Sequence, residues 1–325
     1  MHKLIIIGST SNICKIRVFK NINDLDIFDK IYCYGWESWS NNDFIEYINN
    51  DVNGDTSNLI DKIEFIKGDY NDYDNTIRHL INDNTIIYVC TPPLCYNDIL
   101  TFCKDIGYNF KIVFEKPFSS SYSDFMKLKE KITNKVNILD HFLYKLDIIN
   151  IISEFKNKEI NYIKFKFNYS DNVEDRLGYF DKAGFFKDMF QSHYLSIVYS
   201  LIGNKITNLE RSVIKKNIRK QYKNYGGKNK VDTYFYVELF HNKCTYIFEA
   251  GKSINDCKEI TINNKTYKIN NYENEYILYF KSLIEDTKLN YINEQELFWK
   301  IYDFIKNDFD TNYKLEYYQN AIDLH

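Results

Sequence analysis

The chain has 325 residues, 44% of them hydrophobic, 17% aromatic and 27% charged, with a formal net charge of -3. That is enough apolar material for one large or two medium domains, and a sequence pI near 6.1 excludes the basic footprint of a nucleic-acid-binding surface. No apolar run has the length of a membrane span, the first residues lack the parts of a secretory signal, and the seven cysteines show no C-x-x-C or zinc spacing, so a cytoplasmic protein with reduced thiols is expected.

Leu4, Ile5, Ile6 and Ile7 form a continuous apolar run ended by Gly8, the pattern of a buried parallel strand. A helix is expected from about Ile13. Further runs at 30–34, 63–66, 86–90, 111–114 and 136–139 read as strands, and helices are expected through Tyr47 after a mixed stretch from Trp36 to Asn42, at 96–106 and at 123–133. Residues 49–58, rich in Asn, Asp and Gly, read as a loop. Alternating strands and helices predict a parallel, doubly wound, Rossmann-like α/β sheet. Past Lys145 the pattern changes. Residues 162–169 alternate like an open-sheet strand, 185–201 form an apolar helix, 233–239 and 245–250 a strand pair, and 273–287 and 294–307 amphipathic helices. The basic run 215–230 carries two glycines and reads as a solvated loop. The expected division is a dinucleotide-binding domain, 1–140, and an α+β substrate-binding and catalytic domain with a mainly antiparallel sheet, 141–325.

Between the first strand and the first helix lies Gly8-Ser9-Thr10-Ser11-Asn12-Ile13, where a dinucleotide pyrophosphate would rest on backbone N–H groups. Only Gly8 of the three-glycine fingerprint is present. Ser9, Thr10 and Ser11 are small enough for close approach, and an ordinary strand-to-helix turn has the same pattern. The fourth strand ends in Thr91-Pro92-Pro93 and the fifth in Glu115-Lys116-Pro117-Phe118, at the carboxyl ends where doubly wound folds bind ligands. Lys116, at a strand tip, aims a cation at the floor of such a site. After the sixth strand, Asp140-His141-Phe142-Leu143-Tyr144-Lys145 places His141 and Lys145 one turn apart on an expected helix start, two cations suited to a phosphate, beside a carboxylate able to orient a second catalytic group. His193 lies in the apolar helix with Asp188 five residues before it. Such a histidine is either a core residue with a partner or a general base, since imidazole titrates near neutral pH and an aspartate can fix its tautomer.

Taken in order along the chain, these segments resemble the glucose-6-phosphate dehydrogenase family. The resemblance is carried by Gly8 through Lys15, Thr91-Pro92-Pro93, Glu115-Lys116-Pro117-Phe118, Asp140 through Lys145, Gly178 through Asp188 running into Gln191-Ser192-His193, Gln221-Tyr222, and Gly251 through Asn255. It implies hydride transfer from C1 of glucose 6-phosphate to NADP or NAD, giving 6-phosphogluconolactone. His193 would take the proton of the C1 hydroxyl, and Asp140 would hold it in the right tautomer. His141 and Lys145 would bind the 6-phosphate, Lys116 the sugar and the nicotinamide ribose, and Asp188, Lys252 and Glu174 the rest of the substrate. Gly8, Ser9, Thr10, Ser11, Asn12, Ile13, Trp36, Glu37, Thr91, Pro92, Pro93, Glu115 and Lys116 would line the dinucleotide. No metal is implied.

The chain departs from the family pattern in three places. Ser11 replaces the second glycine of the turn. Trp36 stands where an arginine usually grips the 2′-phosphate of NADP; an indole can stack on adenine, and the adjacent Glu37 resembles the acid that favours unphosphorylated NAD. Lys15 and Arg17 are cations near that turn in sequence, so both coenzymes stay open. The family's sugar carboxylate falls near Asn168 or Tyr169. The chain is also shorter than is usual, mostly between Lys252 and Tyr276 and after Asn307, which weakens the expectation of a homodimer built on the large sheet. Two alternatives remain: a related oxidoreductase acting on another sugar or sugar phosphate, and a non-catalytic nucleotide-binding relative.

Overall fold

In the computed structural model, which describes residues 2–52, 54–69, 72–119, 121–133, 135–203, 209–270, 274–287, 294–306 and 315–318, each apolar run of the first half becomes a strand. These are β1 (His2–Ile7), β2 (Phe28–Gly35), β3 (Ile63–Lys67), β4 (Thr85–Val89), β5 (Lys111–Glu115) and β6 (Val136–Leu139). They form one sheet in the order β3-β2-β1-β4-β5-β6, and every neighbouring pair is parallel. β1 pairs on both sides, with Ile5 opposite Tyr32 of β2 and Ile87 of β4. Its residues Leu4 to Ile7 are fully buried, which is why the sequence shows a continuous rather than an alternating run. The strand order reverses beside β1, the place where such sheets bind ligands.

This sheet belongs to the first of two compact units, residues 1–141 with 273–288. The helix Glu275–Ile284 comes late in the sequence but packs in this unit. Phe280 meets Phe28 edge-on at 5.7 Å and Tyr88 at 5.4 Å. Arg17 pairs with Glu275 at 2.9 Å. The helix Asn41–Asp51 opens on a reciprocal cap between Ser40 and Asp43. It runs to Asp51, past the start of the loop expected at 49–58.

The second unit, residues 142–272 with 289–325, is built on β7 (Tyr162–Asn168), β8 (Val213–Tyr222), β9 (Tyr234–His241), β10 (Cys244–Gly251), β11 (Cys257–Ile262), β12 (Lys265–Lys268) and β13 (Leu315–Tyr318). The sheet order is β12-β11-β7-β10-β9-β8-β13. It is antiparallel except for the parallel pairs β7–β10 and β8–β13. Ile163, Phe165 and Phe167 of β7 and Tyr246, Phe248 and Ala250 of β10 are buried on one face. The helical stretch from Leu177 to Ile202 covers that face: Tyr194 stacks on Phe165 at 4.8 Å and Phe190 meets Phe248 at 4.8 Å.

The basic run expected as a loop is strand for its first part, because β8 extends through Tyr222. Lysines fit there because their stems lie along aromatic rings: Lys216 Nζ sits 5.1 Å from the Tyr236 ring centre and Lys215 Nζ 5.8 Å from that of Phe240. Glu273 and Asn307, the outer ends of the two expected late helices, lie outside the described residues. Among the described residues no helix is long and apolar enough to cross a membrane.

Candidate active site

The turn after β1 is shaped by Gly8, whose φ of +83° and whose 2.9 Å approach to Thr91 Cγ2 leave no room for a Cβ. Ser11 closes this turn, its N–H donating to Gly8 O at 3.0 Å and its Oγ accepting from Cys14 N at 3.5 Å. The helix begins at Asn12, and its first N–H groups have no intrahelical acceptor. The turn therefore offers backbone donors at a helix N-terminus even with serine in place of the second glycine. Thr91, two residues beyond β4, lies against Gly8 and is buried, while Pro92 and Pro93 lead into a short 3-10 turn, Pro93–Cys95.

Just past β2, Trp36 is 62% exposed. Glu37 turns back to the first turn, where its Oε1 accepts from Thr10 Oγ1 at 2.6 Å. Lys15 pairs with Asp51 at 3.3 Å and Arg17 with Glu275.

The tips of β5 and β6 carry the densest group of charges. Lys116 Nζ lies 2.9 Å from Asp140 Oδ2, and both side chains are buried. Burial lowers the lysine pKa from its ordinary value, and Asp140 opposes the shift by favouring the cation. The Lys116–Pro117 peptide is cis. Glu115, one residue earlier, is turned into the unit. Its Oε1 accepts from Tyr88 and, at 3.0 Å, from Tyr276 of the returning helix. Burial pushes its carboxyl up to about 7, against the opposing effect of the two tyrosine hydroxyls. Tyr276 also stacks on His141, with ring centres 6.1 Å apart. Tyr88 and Tyr276 were not evident as site residues from the sequence, where each is one aromatic in an apolar face.

The Asp140 segment does not continue as an α-helix. His141–Tyr144 is a 3-10 turn, and Lys145 has an extended backbone (φ -70°, ψ 128°) that caps the next helix, Leu146–Phe155. Phe142, Leu143 and Tyr144 are all buried. Lys145 leaves the helical backbone to become the N-cap of the next helix, so the segment ends after this one 3-10 turn. The expected helical spacing of His141 and Lys145 is thereby corrected. Within the second unit, Lys145 Nζ lies 5.3 Å from the Phe142 ring centre, at the N-terminus of that helix.

His193 lies on a π-helical stretch, Lys187–Tyr194. The wide turn is visible in Ser192 Oγ, which donates five residues back to Lys187 O at 3.2 Å. His193 is buried, with its ring stacked on Phe142 at 4.0 Å and 19°. Asp188 accepts from the Tyr179 hydroxyl at 2.9 Å. Lys252 pairs with Asp171 at 2.6 Å, its ammonium 4.4 Å from the Tyr169 ring centre. Glu174 is exposed and opens the 3-10 turn Glu174–Arg176. Asn168, at the end of β7, is buried with an Oδ1 that has no hydrogen-bond partner.

Comparison with known proteins agrees with these motifs. Residues 5–150 match the model described as "Glucose-6-phosphate dehydrogenase, NAD binding domain", and residues 150–233 the one described as "Glucose-6-phosphate dehydrogenase, C-terminal domain". The chain belongs to the glucose-6-phosphate dehydrogenase family. It is 25% identical over 249 residues to glucose-6-phosphate 1-dehydrogenase of Buchnera aphidicola, covering 65% of this chain and 51% of that protein. The chain thus spans about half the length of the curated relatives it matches. Two solved family structures share the fold. One, from Mycobacterium avium, has a TM-score of 0.79 at 14% identity, covering 98% of this chain and 93% of the other. The other, a glucose-6-phosphate dehydrogenase described as in complex with its substrate glucose-6-phosphate, has a TM-score of 0.75 at 14% identity, with 98% and 94% covered.

Proposed function

We propose that this chain oxidises glucose 6-phosphate at C1 with a nicotinamide coenzyme, NADP or NAD, and releases 6-phosphogluconolactone. The observation that carries the reading is the buried Lys116–Asp140 ion pair at adjacent strand tips, inside two family motifs. Withdrawing two charges from water costs several kcal/mol per ion, on the order seen for buried pairs, and perturbed, paired groups of this kind mark functional positions.

His193 takes the proton of the C1 hydroxyl on a ring nitrogen. Asp140 fixes the histidine tautomer, with Lys116 holding the carboxylate in place. Lys145 and His141 bind the 6-phosphate, and the N-terminus that Lys145 caps adds the positive end of a helix. Asp188, Lys252 and Glu174 serve the sugar hydroxyls. The turn from Gly8 to Ile13, Thr91 to Pro93, the Glu115 backbone, Trp36 and Glu37 hold the dinucleotide. When bound, the nicotinamide supplies the hydride acceptor.

A related sugar or sugar phosphate is the second reading. It is favoured by Asn168, whose neutral amide and unpartnered buried oxygen stand where the family's sugar carboxylate is expected. We place the reaction in the cytoplasm, where thiols such as the free Cys14, Cys33 and Cys90 stay reduced. Self-association belongs to the same proposal and is read by mass measurement in solution.

The test is nicotinamide reduction followed by absorbance, with both coenzymes, across glucose 6-phosphate, other sugar phosphates and free glucose. Glucose 6-phosphate should be turned over fastest, and His193→Asn should abolish turnover while sugar phosphate still binds. Absence of reduction with every sugar phosphate sinks the reading, as does a fully active His193→Asn variant.

A further inference from the structure

The turn after β1 and the tail of β2 are tied together. Gly8 N and Ser9 N both donate to Tyr34 O, at 2.9 and 3.2 Å, and Thr10 Oγ1 donates to Glu37 Oε1 at 2.6 Å. The second oxygen, Glu37 Oε2, is shielded from water and has no hydrogen-bond partner. It lies so close to Gly35 that a Cβ there would come within 2.6 Å of it. A shielded carboxylate oxygen without a donor is unfavourable, so the position favours a ligand that donates hydrogen bonds and disfavours an anion.

The surroundings point the same way. Lys15 is paired with Asp51 and Arg17 with Glu275. Trp36 offers bulk without charge. Trp39, Tyr47 and the helix after β2 line a hollow of about 460 Å³ whose charged members, Asp43, Glu46 and Asp51, are all acids. Lys67, which donates to Ser38 Oγ at 2.9 Å, is the rival feature, because a serine–lysine pair can hold a phosphate.

We propose that Glu37 makes this chain select the unphosphorylated dinucleotide, NAD, by accepting hydrogen bonds from the adenosine ribose diol and repelling a 2′-phosphate. The inference rests on the coenzyme part of the proposed function and is independent of the sugar. Thr10 is the positioning residue that holds the carboxylate toward the turn.

The experiment titrates the full chain, without sugar, with NADH and with NADPH and follows the fluorescence of the reduced nicotinamide. NADH should bind at least about 30-fold more tightly. Glu37→Gln should narrow that ratio to roughly threefold, and Lys67→Ala should leave it unchanged. Thr10→Val, which releases the carboxylate, should narrow it too and stands in should Glu37→Gln fail to fold. Equal affinities, or an NADPH preference lost in Lys67→Ala, overturn the inference and leave the dehydrogenase reading standing. A ratio that neither Glu37→Gln nor Thr10→Val moves overturns the assignment to Glu37. Binding of neither coenzyme overturns both.

Discussion

Lys116 and Asp140 meet at 2.9 Å across the tips of β5 and β6, with side-chain exposures of 3% and 1%. Neither charge has bulk water to return to. Breaking such a pair from one side leaves the other charge buried without this partner, at a cost of about 3–5 kcal/mol, whereas replacing both sides by apolar groups of similar size is often neutral. Lys116→Met and Asp140→Leu should therefore each lower the free energy of unfolding in urea by about 3–5 kcal/mol, and the double variant should recover most of it. Turnover should be absent in all three. Recovered activity in the double variant would show that the pair serves folding alone.

Glu115 gives a pH dependence of stability. Its carboxyl titrates at about 7 in the folded chain, against an ordinary value of 4.5. Between those two values the folded state holds a proton that the unfolded state has released. The stabilising contribution is thus fully present below pH 4.5 and is lost as pH rises through 7. The shift corresponds to about 3 kcal/mol. Glu115→Gln keeps an oxygen for the Tyr88 and Tyr276 hydroxyls and removes the titration. Urea unfolding at several pH values should show wild type losing roughly that amount relative to the variant between pH 4.5 and 8. A difference that stays constant with pH would contradict burial as the cause.

The parallel sheet was legible because strand cores buried on both faces must be apolar, as Leu4–Ile7 of β1, Ile86–Val89 of β4 and Ile112–Phe114 of β5 are. The candidate-site motifs of the first unit were legible for the same reason: they fall where the apolar runs stop. Lys116 was recognisable as a cation at a strand tip, but its partner was not, since pairing depends on which strands lie side by side. The returning helix illustrates the same limit. Its amphipathic spacing says that Tyr276 is buried, not that it is buried against Glu115. The lysine-rich β8 was hidden because composition argued for solvent, while the aromatic rings of β9 that carry the lysine stems are distant in sequence. The β11–β12 pair was missed because its polar, alternating residues lack a strong apolar signal.

The phosphate role proposed for Lys145 can be separated by experiment from sugar recognition. It stands at the N-terminus of the helix Leu146–Phe155, where its charge and the helix N–H groups favour an anion. Lys145→Ala should raise the Michaelis constant for glucose 6-phosphate by about 100-fold, while kcat/KM for free glucose changes by less than about threefold. Equal losses on the two substrates would remove the phosphate role.

Two glycines of one motif should respond in opposite directions. Gly184 interrupts the helical stretch with a φ of +71°, and a Cβ there would lie 3.0 Å from Asp232 Oδ1. Asp232 cannot easily yield, because its Oδ2 accepts from Phe186 N at 2.6 Å and its backbone oxygen from Phe185 N at 2.9 Å. The kink and this cap together set where the His193 turn begins. Gly184→Ala should cost about 1–3 kcal/mol through backbone strain and lower kcat/KM. Gly178, six residues earlier in the helix Leu177–Phe186, has open space around its would-be Cβ. Gly178→Ala should be neutral or stabilise by about 0.5–1 kcal/mol, because alanine loses less freedom on entering a helix. Unfolding in urea measures both. Equal destabilisation by the two substitutions would mean that the motif's glycines answer to something other than the Gly184 kink.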